Sequence, residues 1–189
     1  MNRSRQDCDA LGSQGEQLVT RGLIARWGWN VFNCNGARWQ APVHQGHTGA
    51  LITPDLDLVG HGVRRFAEVK TKSAASMTRK TGQYEHGMCW RNYQHYLDIG
   101  ARSGTPVWLF IYQVNVQEIL YAPLHGYLEA MARRTSDTKQ CGHGMAFFYA
   151  DAFRRAALTE FVAGRWDDSP LILRQYRKLT EVPHGSPAA

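Results

Sequence analysis

Hydrophobic and polar positions follow two different rhythms along the first half of this chain. From about residue 13 to 27, Leu18, Leu23, Ile24 and Trp27 recur at helical spacing and Gly28 ends the run, which predicts an amphipathic helix. A short strand is expected near 30–33, followed by an irregular connection over 34–50. Over 51–72 the rhythm becomes that of a half-buried strand pair. Leu56, Leu58, Ala67 and Val69 fall on one parity, and Asp55, Asp57, Glu68 and Lys70 on the other. Gly60, His61 and Gly62 supply the turn of a tight antiparallel hairpin. With His61 and Gly62 as a two-residue loop, Asp55 faces Glu68, Asp57 lies diagonal to it, and both acids share a face with Lys70.

Further along, residues 72–86 are rich in Ser, Thr, Lys and Gly and read as a mobile loop. Residues 89–103 form a helix with Trp90, Tyr93 and Leu97 as core positions. Two strands follow, over 106–114 and 118–121, around Asn115. A helix is expected over 124–134 and an edge strand over 145–149, while 170–179 carries no assignable pattern. Residues 1–12 read as a flexible arm and 183–189 as a flexible tail. The remaining 13–182 read as one α/β domain with a mixed sheet, and 189 residues suffice for a sizeable core.

No run approaches the roughly 20 apolar residues of a membrane-spanning helix. Cys8, Cys34, Cys89 and Cys141 are scattered, which reads as reduced thiols in a cytoplasmic protein. Cys141 and His143 lack a second pair at ligand spacing, so zinc is not expected. His44 and His47 read as loop residues.

Charge adds a partner to this picture. The formal charge of +6 and pI near 9.3 suit a polyanion. Between residues 64 and 91, Arg64, Arg65, Lys70, Lys72, Arg79, Lys80 and Arg91 outnumber Glu68 and Glu85. Lys72, Arg79, Lys80 and Arg91 are the candidate contacts to nucleic acid, where phosphates supply most of the sequence-independent affinity. Carboxylates gathered on one face repel each other, and a hard divalent cation such as Mg²⁺ resolves that conflict with oxygen ligands. Lys70 beside the ion would position a water. The bland alternative is a solvated strand face with an Asp/Lys ion pair.

The order Gly15-Glu16, apolar helix, Trp27-Gly-Trp-Asn-Val-Phe32, Pro54-Asp-Leu-Asp-Leu-Val59 and Phe66-Ala-Glu-Val-Lys-Thr-Lys72 resembles the PD-(D/E)XK nuclease superfamily, which includes restriction-endonuclease-like and Holliday-junction-resolvase-like enzymes. The resemblance covers the first half closely and continues more loosely through 90–93 and 106–112. It implies a restriction-endonuclease-like core of helix, three-stranded antiparallel meander, second helix and further strand (αβββαβ). It also implies metal binding by Asp57, Glu68 and the Val69 carbonyl, catalytic support from Lys70, and an accessory acid at Glu16. Asp57 has the acid-then-apolar context before Leu58 and Val59. Asp55 completes the literal Pro-Asp and stands as the alternative ligand or a second acid. The acid-to-Glu68 interval is short for the family.

The implied activity is Mg²⁺- or Mn²⁺-dependent hydrolysis of DNA phosphodiester bonds, by endonuclease or exonuclease action, leaving a 5′ phosphate. A homodimer or a protein partner would supply target choice. Two other readings stand beside it. One is a non-catalytic nucleic-acid-binding or assembly module, against which intact Asp57, Glu68 and Lys70 argue. The other is a dimeric junction resolvase, which requires a self-complementary apolar patch.

Overall fold

The computed structural model describes residues 5–28, 30–34, 45–46, 49–78, 81–135 and 142–168. Helix α1 (Arg5–Trp27) leads into β1 (Asn30–Asn33), and β2 (Gln45–Gly46) pairs with β3 (Gly49–Ala50). Next come the hairpin β4 (Leu56–Gly60) and β5 (Val63–Lys72), then β6 (Ser76–Thr78), β7 (Gln83–Cys89) and α2 (Trp90–Ser103). The remainder is β8 (Val107–Gln113), β9 (Glu118–Pro123), α3 (Glu129–Met131), β10 (Arg133–Thr135), β11 (Met145–Tyr149), β12 (Arg154–Ala157) and α4 (Leu158–Val162).

Among the described residues a six-stranded sheet runs in the order β1-β4-β5-β8-β9-β12. β1, β4 and β5 form the expected antiparallel meander, and β8 lies parallel to β5, with α2 in the crossover between them. Every residue of β8 is buried, because both faces of this part of the sheet are covered. On one face α1 packs Val19 and Leu23 against Leu56, Leu58, Ala67, Val69 and Phe110. On the other, Tyr93, Tyr96 and Ile99 of α2 pack against Phe66, Leu109, Ile111 and Leu120. The sheet is therefore a mixed α/β layer flanked by helices, as the sequence leads one to expect.

The β4–β5 turn takes the form its sequence requires. Gly60 pairs with Val63, leaving His61 and Gly62 as the two-residue loop, with φ of 51° and 74°. Positive φ at both central positions matches the twist of the flanking strands. The register then pairs Asp57 with Phe66 and Leu56 with Ala67. β4 begins at Leu56, so β5 runs past it from Glu68 onward, alongside β8.

Several elements differ from expectation. α1 begins at Arg5, so residues 5–12 are helical; their exposed polar positions carry no apolar periodicity for a reader to find. The stretch read as a loop over 72–86 holds β6 and the start of β7, which join β10 and β11 in a second antiparallel sheet ordered β10-β11-β7-β6. β11 is an inner strand of that sheet, with neighbours on both sides, rather than an edge. The expected 124–134 helix is broken at His125 and Gly126, where the backbone leaves helical geometry, and survives only as a wide turn over Leu124–Leu128 and the short α3. The reading of four reduced thiols is also corrected: Cys34 is a free thiol, but Cys89 is disulfide-bonded. Arg79, Lys80, His44, His47, Cys141 and residues 170–189 lie outside the described residues. No described helix is long and apolar enough to cross a membrane.

Candidate active site

The site lies where β5 outruns β4. Beyond Leu56 the β5 backbone has lost its β4 partner, and the Asp55 side chain takes over: the Val69 N–H donates to Asp55 Oδ2 at 2.8 Å. The carboxylate of Asp55 is thereby held against the Glu68–Lys70 segment. Glu68 projects to the α2 face and is only 1% exposed. Its Oε1 accepts from the Lys70 ammonium, while its Oε2 is buried with no hydrogen-bond partner among the described residues.

The electrostatics follow from this placement. Burial pushes the Glu68 pKa up to about 7, against the pull of Lys70, and Asp55 adds to the rise by repulsion. Burial works against the Lys70 ammonium too, yet Glu68 and Asp55 hold its pKa above the ordinary lysine value. The buried Tyr96 of α2 brings its hydroxyl to the Glu68 carboxylate, where it favours the charged form; burial and that same carboxylate push the tyrosine pKa well up. Sequence reasoning did not single out Tyr96. Its signal was available, since it lies three residues after Tyr93 on the apolar face of α2.

Glu16 reaches the rim of this group from α1. Its Oε2 accepts from Asn33 Nδ2 at 3.0 Å, and its charge acts on Lys70. Gly15 makes that approach possible, because a Cβ there would overlap the Thr71 side chain on β5. Lys72, farther along β5, is partly buried, and burial together with Lys70 lowers its pKa.

Asp57 is on the same face but in different company. Arg64 sits diagonally across the β4–β5 pair and grips it with two hydrogen bonds, Nε to Oδ1 at 2.9 Å and an Nη to Oδ2 at 2.6 Å. The same guanidinium lies 4.8 Å from the Phe66 ring centroid. Asp55, Glu68, Lys70 and Glu16 therefore act on one another, whereas Asp57 is neutralised locally by Arg64. Cys34 lies near both aspartates, and burial followed by their charges pushes its thiol up to about 11. Arg91 lies away from this group, on the outer side of α2.

Among the described residues no set of three or more His, Cys, Asp or Glu side chains is disposed to hold a metal ion. The donors present nevertheless fit a hard cation. Mg²⁺ binds proteins through one or two carboxylates and fills its octahedron with water and phosphate oxygens. Asp55 and Glu68 provide two carboxylates, and the buried Glu68 Oε2, without a hydrogen-bond partner among the described residues, is a donor whose burial is costly without a cation.

No protein-family model matches the sequence, and no curated protein does. Among solved structures, the chain is similar to Hjc, a Holliday junction resolvase from Archaeoglobus fulgidus, at 13% identity over 82% of this chain and 98% of that one, with a TM-score of 0.47. It is also similar to a nuclease from a fusselovirus, at 9% identity over 87% and 94% of the two chains, with a TM-score of 0.46. Among the described residues, a helix, an antiparallel meander, a crossover helix and a strand parallel to the meander's last strand form a mixed α/β layer, with Pro54-Asp55 and Glu68-Val69-Lys70 at the open end of the meander.

Proposed function

We propose that the chain is a Mg²⁺- or Mn²⁺-dependent nuclease that hydrolyses DNA phosphodiester bonds and leaves a 5′ phosphate. The observation that carries this reading is the buried Glu68 Oε2, which has no hydrogen-bond partner among the described residues, held beside Asp55 and Lys70 at the end of β5. Asp55, Glu68 and the Val69 carbonyl would hold the ion. Asp55 is preferred to Asp57, because Asp57 is already neutralised by Arg64 while Asp55 couples to both Glu68 and Lys70. When bound, such an ion supplies charge stabilisation at the phosphate.

The chain's own residues do the rest. Tyr96 and Lys70 fix the Glu68 carboxylate in one orientation and favour its ionised form. Lys70 is itself oriented by Glu68, and its partly exposed ammonium donates to the attacking water or to charge developing on the phosphate. Glu16, anchored by Asn33, is an accessory acid at the rim. In-line attack by water expels the 3′ oxygen. Lys72 adds a positive charge along the strand for a neighbouring phosphate.

A cleavage assay on supercoiled, linear and branched DNA tests this reading. Cutting should appear with Mg²⁺ or Mn²⁺, vanish in excess chelator, and be weak with Ca²⁺, whose looser coordination positions water poorly. Undiminished cutting in chelator contradicts the mechanism, and its absence on every substrate with metal present would favour the non-catalytic binding module.

A further inference from the structure

A second basic site lies on the outer side of α2, away from Glu68. The first turns of α2, Arg134 of β10 and the segment leading into β11 enclose an open cleft of about 520 Å³. Arg91, His95, Arg134 and His143 line it, and no carboxylate is among the described residues of the lining. Arg91 Nη lies 3.4 Å from His143 Nε2. The Arg134 guanidinium lies 5.0 Å from the Trp90 ring centroid. Neither arginine pairs with a carboxylate among the described residues, although many other described arginines do, including Arg26, Arg64, Arg102, Arg133, Arg154 and Arg165.

His95 adds a donor. Its Nδ1 accepts from the Ile52 N–H at 2.9 Å, so the neutral ring carries its proton on Nε2. The start of α2, a helix of 14 residues, contributes the positive end of its dipole to the same opening. Asp98 acts on His95, whereas the two guanidinium groups have no carboxylate partner among the described residues and are poorly compensated by them. An anion with several acceptor oxygens compensates both, and guanidinium groups match phosphate oxygens by geometry as well as charge. Base stacking fits less well, since Arg134 lies over the Trp90 ring and Tyr93 packs beside it at 5.4 Å.

We propose that the Arg91–Arg134–His143 cleft is a phosphate-binding subsite for a backbone phosphate of the substrate nucleic acid, distinct from the scissile one. This rests on the nuclease reading, and it assigns Arg134, His95 and His143 to nucleic-acid contact alongside Arg91. α2 couples the two places: Tyr96 faces Glu68 inside, while Arg91 and His95 face the cleft outside.

The test is a salt titration of binding to a fluorescent DNA duplex by the full chain, with metal withheld. Arg91→Ala should flatten the dependence of log K on log salt by about 1 unit and Arg91→Ala/Arg134→Ala by up to ~2 units, because each phosphate contact contributes nearly one unit. Arg91→Lys/Arg134→Lys keeps the charges and should restore most of the slope, which separates lost contacts from a damaged fold. If the wild type binds DNA and the double alanine variant has the same slope, the subsite is refuted and the nuclease reading stands. If the wild type binds no DNA, both fall. In parallel, inorganic phosphate is titrated against the Trp90 indole NMR signal at constant ionic strength. A response to phosphate with an unchanged DNA slope would make the cleft a site for a free anion and overturn its assignment to the substrate.

Discussion

Asp55 and Asp57 share a strand parity, so alternation alone cannot rank them as metal ligands. Two facts separate them. β4 starts at Leu56, which leaves Asp55 at the open end of the ladder against Val69. Arg64 stands diagonally opposite Asp57 and occupies both its oxygens. The second fact was within reach of the sequence: the two-residue turn that pairs Asp57 with Phe66 also brings Arg64 within diagonal reach of Asp57 on the same face. Asp55→Asn should therefore abolish cleavage, whereas Asp57→Asn should stay within about ten-fold of wild type and change stability by no more than about 1 kcal/mol, since the Arg64 side chain is 45% exposed. A dead Asp57→Asn beside an active Asp55→Asn would restore Asp57 as the ligand. Lys70→Ala should retain metal binding, measured calorimetrically, and lose at least ~100-fold in single-turnover rate, the scale of one preorganised donor.

At the scale of elements, the meander and its turn were legible because periodicity and Gly-His-Gly are local signals. The second sheet was not. β7 reads Gln-Tyr-Glu-His-Gly-Met-Cys, a polar string that resembles a loop, yet Glu85 and His86 are buried. What makes them tolerable is distant in sequence. Glu85 accepts from Thr78 and from Arg133, each at 2.6 Å. Burial alone would raise its pKa, but those hydrogen bonds hold it below the usual glutamate value. Arg133→Ala leaves that carboxylate buried without its charge partner, and should destabilise the domain by about 3 kcal/mol in chemical denaturation; a loss under 1 kcal/mol would mean the pair is dispensable.

His86 in the same strand has a buried Nε2 with no hydrogen-bond partner among the described residues, and burial followed by the charge of Lys72 lowers its pKa to about 4. The unfolded chain takes up this proton near the ordinary value of about 6.5, before the folded one does. The His86 contribution to stability is thus fully present above that pH and is lost as pH falls from about 6.5 towards 4, by at most about 3 kcal/mol. The stability difference between wild type and His86→Phe should shift across that window against wild type as pH falls. A constant difference from pH 7.5 to 4 would show that His86 does not titrate as described.

For the whole molecule, the sum of charges conceals its distribution. Of the basic residues counted near the site, Arg64 is engaged by Asp57, Lys70 by Glu68, and Arg65 lies between Asp168 and the Trp27 ring. Other basic residues carry the excess of +6, and the cleft at Arg91 and Arg134, with no carboxylate among its described lining residues, is one place where it gathers. The sheet, covered on both faces by separate cores, holds the acids at a fixed end and leaves one Glu68 oxygen without a hydrogen bond among the described residues. Anomalous diffraction from a crystal soaked in Mn²⁺ tests most directly whether a cation belongs there. The expected result is a peak bonded to both an Asp55 and a Glu68 oxygen at about 2.1 Å, the range of hard octahedral coordination. A fully soaked crystal with no peak at Glu68, or with its peak on Asp57 and Arg64 displaced, would contradict it.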